Sequence, residues 1–181
     1  IESEHGSDSS AWLVTPSRAV AEAARAALPG FWAEMGAERR GYSQDVLCGP
    51  RGGIALAADM DDAIAFVNAY APEHLELQAK DPHQYLGRIR NAGEILMGEH
   101  APLTLANYLL GPNAVLPTGG AARTRSALGV RDFMKSMSIG SVSKPGYDEL
   151  APHALKYARY EGFDAHGNAL TALRAKAFGN A

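Results

Sequence analysis

Residues 54–77 read Ile54-Ala55-Leu56-Ala57-Ala58-Asp59-Met60-Asp61-Asp62-Ala63-Ile64-Ala65-Phe66-Val67-Asn68-Ala69-Tyr70-Ala71-Pro72-Glu73-His74-Leu75-Glu76-Leu77. Ile54 to Ala57 is an apolar run behind the turn Gly49-Pro50-Arg51-Gly52-Gly53, which predicts a buried strand. Asp59 to Tyr70 has helical spacing, with Ile64, Val67 and Asn68 on repeating faces. Leu75-Glu76-Leu77 then alternates as a short strand. A strand, a helix and a strand joined by short links make a parallel β–α–β unit.

The same rhythm extends to both sides. Ala11-Trp12-Leu13-Val14-Thr15 is a short run of β-formers between Asp8-Ser9-Ser10 and Pro16-Ser17. A helix is expected from Pro16, capped by Thr15, with Val20, Ala23, Ala24, Ala27 and Leu28 on its apolar face and Pro29-Gly30 as its stop. A second helix is expected over about 31–40, another over 82–90 beyond the one at Asp59 to Tyr70, and a strand at Glu94-Ile95-Leu96-Met97. The fold expected for residues 1–124 is α/β, an incomplete Rossmann-like parallel sheet layer. His100 to Arg125 breaks the rhythm and reads as a functional loop. Residues 125–181 read as a small helical C-terminal extension, with a long run from Asp148 to Phe178 interrupted near Gly162. There is no internal repeat.

Composition narrows the function. Of 181 residues, 46% are hydrophobic and 20% charged, as in ordinary globular domains. A net charge of -3 lacks the basic footprint of a nucleic-acid binder. No stretch approaches the length of a membrane span. Cys48 is the sole cysteine, which excludes an internal disulfide or a cysteine-based zinc knuckle and suits a reducing compartment, so a cytoplasmic location is expected. The chain opens Ile1-Glu2-Ser3-Glu4-His5-Gly6 without an initiator Met or a targeting pattern, as if cut from something longer.

Glu2 and His5 lie three apart, so one turn could bring both side chains to one ion; a solvated surface pair has the same spacing. Glu161 and His166 carry the same two readings. Ala71-Pro72-Glu73-His74-Leu75 is more suggestive. Proline fixes the backbone ahead of an acid and an imidazole beside a strand end, and ligands in parallel sheets gather at strand ends. Such a pair can divide base and acid work between water and a substrate hydroxyl. The alternative is a turn with two solvated polar residues.

Four separated segments resemble histidinol dehydrogenases in order and approximate spacing. They are Glu4-His5-Gly6 with Asp8-Ser9, Ala71-Pro72-Glu73-His74-Leu75, Gly111-Pro112-Asn113-Ala114-Val115-Leu116-Pro117-Thr118, and Ala165-His166. The resemblance implies oxidation of a primary alcohol through an aldehyde to an acid, with two NAD molecules and a zinc that holds and polarises the substrate. It implies that Glu73 activates water for the second oxidation and that His74 takes the hydroxyl proton. His5 and His166 match zinc ligands, with His166 reaching across from the partner of a homodimer, and Glu161 matches a residue that holds the substrate amine.

Three positions depart from that pattern. Glu2 stands where the family's zinc-binding Gln falls, and Asn107 where its zinc-binding Asp falls. Together they exchange an amide for a carboxylate and leave the ligand charge unchanged, which still suits zinc. Ala114 replaces a substrate-contacting histidine and removes a hydrogen-bonding partner. No Gly-x-Gly-x-x-Gly segment is present, so nucleotide-binding residues are unassigned and the fragment alone is expected to be inactive. With Glu2 expected at a frayed terminus, isolated metal affinity should be low. The alternatives are a paralogue acting on another small polyol, such as a sulfonated propanediol, and a non-catalytic dimerisation module.

Overall fold

A computed structural model describes residues 1–177 and Gly179. Two compact units are present, Ile1–Phe133 and a second from Met134 on. The first carries the strands.

β1 (Ala11–Thr15) pairs in parallel with β2 (Gly52–Leu56), in register from Ala11 opposite Gly52 to Thr15 opposite Leu56. β3 (His74–Leu77) pairs in parallel with β4 (Glu94–Met97), from His74 opposite Glu94 to Leu77 opposite Met97. The expected α/β class with parallel strands is thus present. Its layer is incomplete: among the described residues the strands form two separate pairs.

Between β1 and β2 run α1 (Arg18–Ala33) and α2 (Ala37–Leu47). The cap of α1 is Ser17, whose hydroxyl accepts from the Val20 amide at 3.3 Å, and not Thr15, which instead accepts from Ser17 N–H at 3.1 Å. Pro29-Gly30 does not stop the helix. A proline forfeits one backbone bond, and the turn beyond it is held by the Trp32 indole N–H, which donates to Ser43 Oγ at 2.9 Å. The second helix accordingly begins at Ala37, after Gly36, several residues later than its spacing suggested. It turns Val46, fully shielded from solvent, into the interior.

α3 (Met60–Tyr70) follows β2, and Asp59 caps it by accepting from the Asp62 amide at 2.8 Å. It ends at Ala71, a non-glycine residue in the left-handed region (φ 56°) whose amide bonds Val67 O at 2.8 Å and which is 1% exposed. The helix expected over 82–90 is one turn, α4 (His83–Leu86). Downstream of that turn, the side chain of Asn68 on α3 takes over the backbone. Its Oδ1 accepts from the amides of Arg90 (2.7 Å) and Asn91 (3.3 Å), and its Nδ2 donates to Arg88 O at 2.9 Å. These bonds hold the approach to β4 in a non-helical path.

After β4, α5 (Leu103–Leu105) runs into a π-helical turn, Ala106–Leu110. Leu103 and Ala106 pack on Leu96 of β4 as a small buried cluster. Strand alternation sets His74 and Glu76 of β3, with Glu94 and Leu96 of β4, on one face. α5 therefore lies over the face that carries His74. Glu76 strengthens this placement by accepting from the Leu103 amide at 2.8 Å, a donor with no partner inside the helix.

The second unit is helical, as expected. Ser143 caps α6 (Lys144–Tyr160), which starts a turn earlier than its apolar spacing indicated. The break falls at Gly162 (φ +77°), followed by α7 (Asp164–Asn168) and α8 (Ala172–Ala177). Phe178, the end of the expected run, lies outside the described residues. No helix among the described residues is long and apolar enough to cross a membrane.

Replacing Asn68 by Ala should destabilise the fold by about 2 kcal/mol, the sum of several partly exposed hydrogen bonds. Hydrogen exchange checks the cause: the amides of Arg90 and Asn91 should lose protection selectively, while those of β1 and β2 keep theirs.

Candidate active site

The link before β4 fixes the geometry of Glu73 and His74. Gly93 N–H donates to Pro72 O and Glu94 N–H to Glu73 O, each at 2.9 Å. Gly93 is needed for this approach. A Cβ there would stand 2.6 Å from the Glu73 carbonyl oxygen and 3.1 Å from Cδ of Pro117. The same contact brings the end of segment 111–118 beside Glu73. Within that segment Val115 N–H closes a turn on Asn113 Oδ1 at 2.7 Å, and Ala114 is exposed.

His74 is the first residue of β3, so the pair stands at the amino end of its strand. Ligands in parallel sheets gather at the carboxyl ends of strands, so the strand end does not account for this pair. The polar cluster comes from the chain's approach to the strand instead. His74 Nδ1 lies 3.1 Å from Glu94 Oε2, and Nε2 lies 3.7 Å from Glu73 Oε1, beyond direct hydrogen-bond range. The side chains of His74 and Glu94 are each 10% exposed, against 35% for Glu73. One imidazole thus sits between a shielded carboxylate and a wetter one. Glu94 was not singled out by sequence reasoning; an acid opening an apolar strand was its only signal.

The opening turn holds the second cluster. Glu2–Glu4 is a 3-10 turn, and His5 Nδ1 lies 3.6 Å from Glu2 Oε2. This turn is not frayed. Ser3 and Ser43 are buried and share a hydrogen bond of 2.9 Å, and Arg39 donates to Glu4 O at 3.1 Å. Glu2 Oε1 is buried without a hydrogen-bond partner. A carboxylate oxygen so placed is costly unless a cation or donor meets it. Asn107, half-buried, stands in the π-helical turn after Ala106.

Glu161 and His166 belong to the second unit. Both line a cavity of about 470 Å³ with Tyr157, Ala158, Phe163 and Leu170, and the Phe163 and His166 rings lie 5.1 Å apart. Both residues are exposed. Among the described residues no three His, Cys, Asp or Glu side chains converge as a metal cluster. Six of the eight expected site residues fall into pairs, Glu73 with His74, Glu2 with His5, and Glu161 with His166, whereas Asn107 and Ala114 stand apart.

Fold and site together define an α/β protein with a shielded acid–imidazole cluster. Comparison with known proteins then gives the family. The family model for histidinol dehydrogenase matches residues 1–174. The chain is 57% identical over 174 residues to "Histidinol dehydrogenase homolog 2" of Mesorhizobium japonicum, covering 96% of this chain and 40% of that protein. It is 42% identical to "Histidinol dehydrogenase" of Synechocystis, covering 94% of this chain and 39% of the relative. The crystal structure of histidinol dehydrogenase from Elizabethkingia anophelis superimposes with a TM-score of 0.87 at 28% identity, over 98% of this chain and 40% of that one. The chain belongs to the histidinol dehydrogenase family, and it spans about 40% of the length of the relatives it matches.

Gly93→Ala should cost about 2 kcal/mol through the clash with the Glu73 carbonyl. Gly87→Ala, where an added methyl meets nothing within 4 Å, should change stability by less than about 0.5 kcal/mol. Equal denaturation midpoints for the two variants would refute the tight approach.

Proposed function

We propose that this chain is the catalytic and zinc-site part of an NAD-linked dehydrogenase that oxidises a primary alcohol through an aldehyde to an acid. The observation that carries the reading is the row Glu94–His74–Glu73, which leaves one imidazole nitrogen beside a solvent-accessible carboxylate. His74 Nε2 takes the hydroxyl proton in the first oxidation. Glu73 then draws a proton from a water molecule as that water attacks the aldehyde carbon, and the resulting diol is oxidised again. When bound, two NAD molecules in turn would each take one hydride, and zinc would polarise the substrate oxygen. The stretch alone is expected to turn over no substrate, since it covers about 40% of the length of its relatives.

The chemistry of the donors fits zinc. Glu2 offers a buried oxygen, Oε1, without a hydrogen-bond partner, and His5 lies near its other oxygen, Oε2. Asn107 and His166 would complete a four-donor set. His166 would come from the second copy of a homodimer. In support, the second unit leaves Leu150, Tyr157, Tyr160 and Phe163 exposed, more apolar surface than so small a core covers. A bare dimerisation module would have no use for the orphaned Glu2 oxygen.

A second reading keeps the chemistry and changes the substrate. Relatives named as homologs of histidinol dehydrogenase are 52–57% identical, whereas those named histidinol dehydrogenase are 38–49% identical. Ala114 also lacks the imidazole that the family pattern places against the substrate. Another small polyol, such as a sulfonated propanediol, then takes the place of histidinol.

The complete protein should reduce two NAD per alcohol, with the better of histidinol and the sulfonated propanediol naming the substrate. Glu73→Gln should stop at the aldehyde, with one NADH per alcohol, and His74→Asn should slow the first step roughly 100- to 10,000-fold. Two full equivalents from Glu73→Gln would end the assigned division of labour.

Metal content tests the trans arrangement. His5→Ala and His166→Ala homodimers should each lose zinc. Mixed dimers of the two variants should regain one zinc, because one site then keeps both histidines. Full zinc in either homodimer would refute the ligand set.

A further inference from the structure

We propose that Glu94 is a positioning residue for His74, fixing its proton on Nδ1 and leaving Nε2 as the atom that accepts the substrate proton. The proposal deepens the reading of His74 as the acid–base group and rests on it. Glu94 and His74 are register partners at the start of a parallel strand pair, so their side chains leave the same face of strands about 4.8 Å apart. That spacing allows a direct bond, and Nδ1 and Oε2 are 3.1 Å apart.

Chemistry sets the direction of the bond. An ionised carboxylate only accepts, so the ring nitrogen facing Glu94 must carry the hydrogen. A histidine's free nitrogen is defined by the bond the other one makes. Both side chains are 10% exposed, so water competes poorly for either. Glu73, the other carboxylate against the ring, is 3.7 Å from Nε2 and makes no direct hydrogen bond to it. The gap leaves the Nε2 lone pair open to a hydroxyl.

Backbone contacts make the arrangement rigid. Glu94 N–H is bonded to Glu73 O, and the approach of Gly93 to that carbonyl permits no side chain. Glu94 thus cannot shift along β3 without breaking the link that also carries Glu73. The two carboxylates divide the work: Glu94 orients the imidazole, and Glu73 remains free for water.

The test is the tautomer of His74, read from long-range ¹⁵N–¹H correlations on the complete protein labelled at histidine. Spectra are taken on the neutral ring, recognised by the large separation of its two ¹⁵N shifts. The unsubstituted protein should show the Nδ1–H form alone. Glu94→Leu should move His74 toward the Nε2–H form and lower kcat for the first oxidation roughly 10- to 100-fold with KM unchanged. Glu94→Gln, whose amide oxygen still accepts from Nδ1–H, should restore the tautomer and most of kcat. An Nε2–H tautomer in the unsubstituted protein overturns the proposal, even if the leucine variant fails to fold. So does a leucine variant with unchanged tautomer and kcat. Full activity of His74→Asn would instead sink the underlying assignment of His74.

Discussion

Two backbone hydrogen bonds, from Gly93 to Pro72 and from Glu94 to Glu73, hold the site in register. They join the last two residues before β3 to Gly93, just before β4, and to Glu94, its first residue. Everything the site needs is measured from that join. It sets His74 opposite Glu94, brings Pro117 against Gly93, and starts the alternation that puts Leu96 under α5. Sliding one strand by a residue would send Glu94 to the opposite face and strip His74 of its neighbour. The absence of a side chain at Gly93 is therefore as much a part of the site as the imidazole.

The two polar clusters of the first unit solve opposite electrostatic problems. Around His74, a shielded carboxylate has a hydrogen-bonding partner and a second one keeps contact with water. Around Glu2, burial has outrun satisfaction, and one oxygen is left without a donor. The first arrangement is complete in protein atoms alone; the second has its shape set by Ser3, Ser43 and Arg39, with His5 near one Glu2 oxygen and no hydrogen-bond partner at the other. On the proposed reading, that contrast separates a group that moves protons from one that takes a cation.

What could be read from the sequence followed the range over which each interaction acts. Apolar runs such as Ala11–Thr15 and Glu94–Met97 announced their strands because a short stretch rich in apolar and β-branched residues between turn residues is a local signature. The Glu73–His74 pair was legible because proline before an acid and an imidazole is a local pattern. Pro29 misled because whether a helix survives a proline depends on Trp32 finding Ser43, two residues on different helices. The same holds for Asn68, whose side chain ends α4 from a distance in sequence. Glu94 escaped notice because its facing depends on strand register, which no pattern within β4 encodes. The opening turn looked frayed for a like reason: the hydroxyl that ties it down belongs to α2.

Ala71 has a further consequence. Its left-handed backbone turns the chain from α3 into Pro72 and Glu73, and its methyl group is shielded almost completely. A left-handed residue with a side chain carries about 1–2 kcal/mol of conformational penalty, and a shielded one has no room for further atoms. Glycine relieves the penalty and alanine fills the space; any larger residue incurs both costs at once. As sequences of this lineage diverge, position 71 is left a vocabulary of two residues.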